Sequence, residues 1–301
     1  MVPGTSPTAA APVPTAARLY RWHLGPGWRA ASQQAIRHRV AGRTVLVTGA
    51  SSGIGRATAL ALGRAGAHVI GLARDGRALD ELATELGSPA DSTMISCDLT
   101  DPVQVDAAAA QLAGRPVDIM INNAGLSLHR RLDRARDPVA DLDRSVATNF
   151  SGPARLVTRL LPTLRRGAQL VVVGSVSVMV PTAGWAGYAG SKAGFDAWSR
   201  AVSAEVHPYG IATSTVQLPQ VLTPMSAPTY RTPWGLTPDQ AASVLLAVVV
   251  RRPRLLTPWW ARTAGVASLL LPQVFDAITG RPRPRTRTGN GAGRDGAGDE
   301  P

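Results

Sequence analysis

Residues 44–66, TVLVTGASSGIGRATALALGRAG, run from a short β-branched segment through a glycine-rich turn into a stretch that reads as a helix. The turn holds Gly49, Ser51, Ser52, Gly53, Ile54 and Gly55. Glycine has no Cβ, so the backbone there can come close to a pyrophosphate, and the helix start behind it offers free amides and a partial positive charge. Strand, tight glycine turn and helix in that order open a parallel α/β sheet.

The chain downstream repeats the alternation. Candidate strands lie at 44–48, 67–73, 93–97, 117–121, 168–175 and 211–218, with a further one at 254–257. Helical stretches separate them near 53–65, 76–86, 102–113, 138–164, 186–206 and 238–250. The last begins Thr237-Pro238-Asp239-Gln240, a capping box with proline at the first helical position. Short β-branched runs between long helices predict a single-domain, doubly wound α/β fold over 44–257, a parallel sheet of about seven strands with helices on both faces.

Composition bounds what the chain can do. Of 301 residues 45% are hydrophobic and 17% charged, the profile of a globular protein. Cys97 is the lone cysteine and the five histidines show no ligand spacing, so neither a disulfide nor a metal site is expected. The net charge is +12, and it sits on the flanks: residues 1–44 carry six arginines and no acid, and 251–262 four arginines and no acid. Residues 1–17 read as a disordered leader, 18–43 as an extension with one short helix, and 281–301 as a disordered Arg/Gly-rich tail. Residues 258–280 form an apolar helical extension, too short and too interrupted by Arg262 and Pro272 to span a bilayer. Its Trp259, Trp260 and Leu269 to Leu271 suit a membrane surface, a pocket cover, core packing or a subunit contact. The expected location is cytoplasmic with a peripheral membrane contact, and nucleic acid is not the expected partner.

Two local features point to redox chemistry. The second strand ends Ala73-Arg74, leaving no carboxylate where an NAD ribose would be held and placing a guanidinium where a 2′-phosphate would sit. NADP(H) is therefore expected in preference to NAD(H). Lys192 is the chain's single lysine among 32 basic residues, and it lies four positions after Tyr188, one helical turn away. A phenol with a pKa of about 10 is mismatched to neutral pH, and a cation beside it lowers that value. Arginine cannot replace a compact ammonium there.

Taken together, TGASSGIG, Cys97-Asp98-Leu99, Asn122-Asn123-Ala124-Gly125, Asn149, Ser175 and the Tyr188/Lys192 pair resemble the short-chain dehydrogenase/reductase family across about residues 40 to 257. The resemblance implies a Rossmann-like fold and the catalytic set Asn149, Ser175, Tyr188 and Lys192. Tyr188 would be the acid/base, Ser175 would donate to the carbonyl oxygen, Lys192 would also hold the nicotinamide ribose, and Asn149 would hold a proton-relaying water. Asp98 and Leu99 would meet the adenine, and Asn122, Ala124 and Gly125 would support the cofactor. Val221 and Thr223 would complete its site, Thr223 beside the nicotinamide amide. Here Gln220 stands where the family usually has glycine, and the segment is one residue shorter.

The stretches 122–131 and 218–229 resemble a bacterial branch that includes fatty acyl-CoA and fatty aldehyde reductases. That branch implies a carbonyl or alcohol substrate, lipid-linked in some members, and coenzyme A phosphates would suit Arg130, Arg131 or the basic flanks. The family implies a homo-oligomer. Two other readings stay open: a cofactor-binding regulatory or scaffolding protein on the same fold, and a membrane-surface or nucleic-acid binder acting through its basic ends.

Overall fold

A computed structural model describes residues 24–25, 28–87, 92–180, 182–226 and 235–279. The leader 1–17, the tail 281–301 and parts of the segment 18–43 lie outside these residues.

The strands are β1 (Thr44–Thr48), β2 (His68–Ala73), β3 (Ser92–Ser96), β4 (Val117–Asn122), β5 (Leu164–Ser175), β6 (Ala212–Leu218) and β7 (Leu255–Leu256). They form one parallel sheet in the order β3-β2-β1-β4-β5-β6-β7. The helices are α1 (Gln33–Val40), α2 (Gly53–Arg64), α3 (Gly76–Leu86), α4 (Pro102–Gln111), α5 (Pro138–Val146), α6 (Gly152–Leu160), α7 (Ala186–Val206), α8 (Pro238–Arg251), α9 (Trp259–Leu270) and α10 (Pro272–Thr279).

Successive strand residues point to opposite faces, so each strand feeds two cores. Val45, Val47, Ile119 and Ile121 join Leu62 of α2, Leu82 of α3 and Val248 of α8 on one face. Leu46, Met120 and Leu170 join Val105 of α4, Leu156 of α6 and Val202 of α7 on the other. Burial on both faces explains why the strands are near-continuous apolar runs. The sheet order reverses beside β1, and the crevice beyond the carboxyl ends of β1 and β4 is where such a Rossmann-like sheet leaves room for a ligand.

Local chemistry sets the element ends. Asp75, Asp101 and Asp137 cap α3, α4 and α5, and Thr237 with Gln240 closes the anticipated capping box on α8. Ser32 caps α1, the short helix expected in 18–43, through the Ala35 amide at 3.2 Å.

The helix expected over 138–164 is not continuous. A π-helical turn at Ala147–Ser151 separates α5 from α6, and a 3-10 turn follows at Leu161–Thr163. Pro153 is the physical reason: it has no N–H for the carbonyl four residues back, and its ring would clash there, so the ladder widens to bypass it. Gly152 lets the bulged turn press against β3's exit loop, since a Cβ there would overlap the Leu99 carbonyl. Elsewhere the expected elements match or shift by at most four residues, the largest change being the earlier start of β5.

Gly152→Ala is therefore expected to destabilise the protein by about 3 kcal/mol, because the obstacle is backbone that cannot swing aside. In contrast, Gly190→Ala, in α7 with nothing within 4 Å of its Cβ position, should stabilise by about 0.5–1 kcal/mol. Chemical denaturation of both variants checks the pair, and a Gly152→Ala protein as stable as the parent would contradict the packing described.

Candidate active site

The carboxyl ends of β1, β2, β4, β5 and β6 open onto one cleft of about 1090 Å³. At its floor the first turn is held by glycine geometry. Gly49 (φ +70°) and Gly53 (φ +52°) occupy the left-handed region, and a Cβ on Gly49 would stand 3.0 Å from the Ala124 Cα. Ser52, the N-cap of α2, makes no side-chain capping bond, and the first turn of α2 contains no acid. Ser52, Gly53 and Ile54 line the cleft, so uncapped helix amides are left for an anion. Gly55 does not reach the wall. A Cβ on it would overlap the Gly49 carbonyl, so its task is to let the helix sit on the turn.

Beside this floor, Arg74 is exposed and lines the cleft. The Asp75 carboxylate accepts from the Ala78 amide at 3.1 Å, and among the described residues no ion pair ties it to Arg74. The guanidinium is thus available. Asp98 and Leu99 also line the wall; Asp98 Oδ1 accepts from the Thr100 amide and hydroxyl, both at 2.9 Å.

The β4 exit joins the two halves of the site. The Thr48 hydroxyl accepts from the amides of Asn123 and Ala124, both at 3.0 Å, and the Asn123 amide group donates to the Thr48 carbonyl at 3.0 Å. Asn123, Ala124 and Gly125 line the cleft, but Asn122 does not. Asn122 is buried, and neither its Nδ2 nor its Oδ1 finds a hydrogen-bond partner among the described residues. The structure thus turns Asn123, and not the expected Asn122, to the cleft. Strand alternation carried the signal, because adjacent residues at a strand end face opposite ways.

Asn149 lies on the π-helical turn and is buried. Its Oδ1 accepts from the Leu126 amide at 2.7 Å, while its Nδ2 donates to the Leu126 carbonyl at 2.9 Å and to Ser191 Oγ at 3.0 Å. The side chain is spent on architecture, so a water could be held only by its backbone carbonyl. The residue four on is Pro153, which has no N–H to offer that carbonyl.

Ser175, Tyr188 and Lys192 all line the cleft. Ser175 Oγ accepts from the Ser177 amide at 3.2 Å and the Ser177 hydroxyl at 3.0 Å, which leaves its own proton for another acceptor. Ser177 was not singled out in the sequence. Lys192 is 8% exposed, and its Nζ donates to the Val173 carbonyl at 3.1 Å. Burial pulls its pKa down from 10.5 to about 8. A Cβ on Gly125 would stand 3.1 Å from both Lys192 Nζ and Asn149 Oδ1, so glycine keeps that space open.

The far end of the cleft is apolar. Val180, Trp185, Met225 and Trp260 line it, the last brought in by α9. Trp185 packs edge-on to Tyr188 at 5.5 Å between centroids and is tilted against His129 at 4.8 Å. Of the adjacent tryptophans expected to act together, Trp260 faces the cleft while Trp259 is 51% exposed, a consequence of the turn of about 100° per helical residue. Arg130 and Arg131 pair with Asp141 at 2.9 Å and Asp133 at 3.0 Å and lie off the cleft wall. Val221 and Thr223 do line it.

Residues 43–234 match the sequence profile of the short chain dehydrogenase family. The chain belongs to that family. It is 35% identical over 250 residues to a fatty acyl-CoA reductase of Acinetobacter baylyi, covering 81% of this chain and 85% of that one. A fatty acyl-CoA reductase of Mycobacterium tuberculosis is 32% identical over 248 residues, 80% of this chain and 84% of the other. Among solved structures, a short chain dehydrogenase from Burkholderia cenocepacia in complex with NADP superposes with a TM-score of 0.64 at 27% identity, over 72% of this chain and 93% of that one. This short-chain dehydrogenase is accordingly an oxidoreductase on a Rossmann-like fold.

The buried ammonium makes a stability prediction. The folded pKa of about 8 lies below the unfolded value of 10.5, so a charged Lys192 costs stability at every pH below about 8, and the cost fades between the two values. Lys192→Met should raise stability at pH 6 by on the order of 2 kcal/mol, once the lost bond to Val173 is set against the removed desolvation. The gain should shrink toward pH 10. Denaturation midpoints at the two pH values test it, and destabilisation at pH 6 would refute it.

Proposed function

We propose that this short-chain dehydrogenase uses NADP(H) to reduce a carbonyl carried on an acyl chain: an aldehyde, a ketone or an acyl thioester. The observation that carries the reading is the single cleft running from the uncapped start of α2 and the unpaired Arg74 to Tyr188 and Lys192, then to the apolar wall at Val180, Trp185, Met225 and Trp260. The names of its acyl-CoA reductase relatives support the acyl substrate.

The residues present fit a dinucleotide phosphate. Gly49 and Gly53 supply a cradle that side chains would fill, the α2 amides meet the pyrophosphate, and Arg74 meets the 2′-phosphate. Gly125, Val221 and Thr223 border the nicotinamide end, with Lys192 on its ribose. When bound, the dinucleotide supplies the hydride.

The chain's own work is to manage charge on the carbonyl oxygen. Ser175, whose oxygen already accepts from Ser177, turns its proton to that oxygen and stabilises negative charge as it develops. Tyr188 delivers its phenolic proton there, and in the reverse direction takes it back. The Lys192 ammonium, short of solvent, favours the phenolate left behind. A water on the Asn149 carbonyl reconnects Lys192 to bulk solvent for reprotonation. Trp185 holds the phenol ring from the side and, with Trp260, excludes water from the acyl end.

Tyr188→Phe should lower NADPH-dependent reduction at least about a thousandfold, as loss of a positioned proton donor does, while NADPH still binds. Screening aldehydes, ketones and acyl thioesters of increasing chain length supplies the substrate, and undiminished turnover by the variant would remove Tyr188 from the role. Arg74→Ala should weaken NADPH binding by about ten- to a hundredfold and leave NADH within about twofold. Fluorescence titration separates the two, and an equal loss for both cofactors would contradict the assignment.

A further inference from the structure

Helix α9 keeps its small residues inside and its large apolar residues outside. Ala261, Gly265 and Ser268, spaced i, i+4, i+7, form the buried face. A Cβ on Gly265 would lie 3.2 Å from the Met179 carbonyl oxygen, so this face packs at backbone contact. The opposite face carries Val266, Leu269 and Leu270, which are 58%, 82% and 73% exposed. Leu271, at 56%, and Val274 and Ile278 of α10, at 50% and 64%, continue the patch. A run of this size on one surface is a docking face rather than scatter.

The charge beside it is positive. Arg251 is committed to Trp28, 5.1 Å from the ring centroid, and Arg252 donates to the Gly167 and Ala168 carbonyls at 3.0 and 2.9 Å. Arg262 makes no ion pair among the described residues and borders the groove formed with Val266, Leu270 and Leu271. Four further arginines, at 281, 283, 285 and 287, follow in the sequence within eight residues of the end of α10. Asp276 is the one acid in α9 and α10.

We propose that α9 and α10 dock this enzyme onto an anionic lipid bilayer. Exposed leucines flanked by arginines combine the two attractions that hold a helix in the interface, apolar insertion and pairing with lipid phosphates. A second copy docked by this same face would bring the same cations against these, with Asp276 alone to compensate. Among the described residues no helix is long and apolar enough to cross a membrane, so the pair lies on the surface. The inference stands whatever carbonyl the cleft accepts. It also gives α9 two roles at once, because Trp260 at its start walls the cleft while its outer face meets the lipid.

The test is co-sedimentation of the full chain with vesicles of phosphatidylcholine alone and with vesicles containing phosphatidylglycerol. The full chain should bind the anionic vesicles, and Leu269→Glu with Leu270→Glu should lower that partitioning about tenfold or more with an unchanged melting temperature. Failure of the parent to bind anionic vesicles overturns the proposal. So does binding untouched by the double variant, the mark of adsorption through arginines alone. Conversion of a dimer to a monomer by the variant, read by analytical ultracentrifugation, overturns it as well and assigns the face to a second copy.

Discussion

The seam between β1 and β4 is the constraint on which the rest of the site depends. One hydroxyl, Thr48 Oγ1, accepts two successive amides from Asn123 and Ala124, and the Asn123 side chain returns a bond to the Thr48 carbonyl. On one side of that seam stands the glycine turn, with Gly55 tucked over Gly49. On the other side the chain passes through Gly125 to Leu126, which Asn149 grips by both backbone atoms. The uncapped helix start and, through Asn149 and Ser191, the helix that carries Tyr188 and Lys192 are thus placed relative to each other by a chain of short contacts. Buried hydrogen bonds of this kind are costly to leave unmade, so the seam acts as one unit.

That coupling accounts for the lone lysine in a chain otherwise served by arginine. The position at 192 is buried, offers one backbone carbonyl, and abuts Gly125 and Asn149 so closely that a Cβ has no room. A guanidinium presents five donors in a wide fork and could not satisfy them in such a space. An ammonium can point one proton at Val173 and retain others for the ribose and water proposed above. Its depressed pKa, about 8, leaves it charged at neutral pH yet able to give up a proton. The compositional oddity and the geometry have the same cause.

The sheet and most helices were legible because burial on two faces writes long apolar runs, and because the capping box at Thr237 is a local signal. The glycine turn and the placement of Tyr188 and Lys192 on one helix were legible because their spacing is local too. What escaped depends on partners distant in sequence. The amide of Asn149 serves Leu126, 23 residues away, and no local pattern announces that bond. Choosing Asn123 over Asn122 required the pleat at the strand end. The break in the helix over 138–164 was available in Pro153, whose missing N–H forbids a regular ladder, but the apolar periodicity on either side concealed it.

The same distinction between local pattern and distant partner applies to α9. Its sequence is apolar apart from Arg262, Thr263 and Ser268, which is compatible with a core helix, and only the fold reveals that the inward face carries small side chains. Met179 approaches Gly265 so closely that a Cβ there would crowd its carbonyl oxygen at 3.2 Å. Packing therefore accounts for Ala261, Gly265 and Ser268 and for Trp260 at the cleft, but it places no demand on Leu269 or Leu270. A soluble fold would be served there by polar residues, at no loss of internal contact. The leucines kept at the most exposed positions of such a helix are what the proposed docking would use, and Arg262 beside them would favour a surface that carries negative charge.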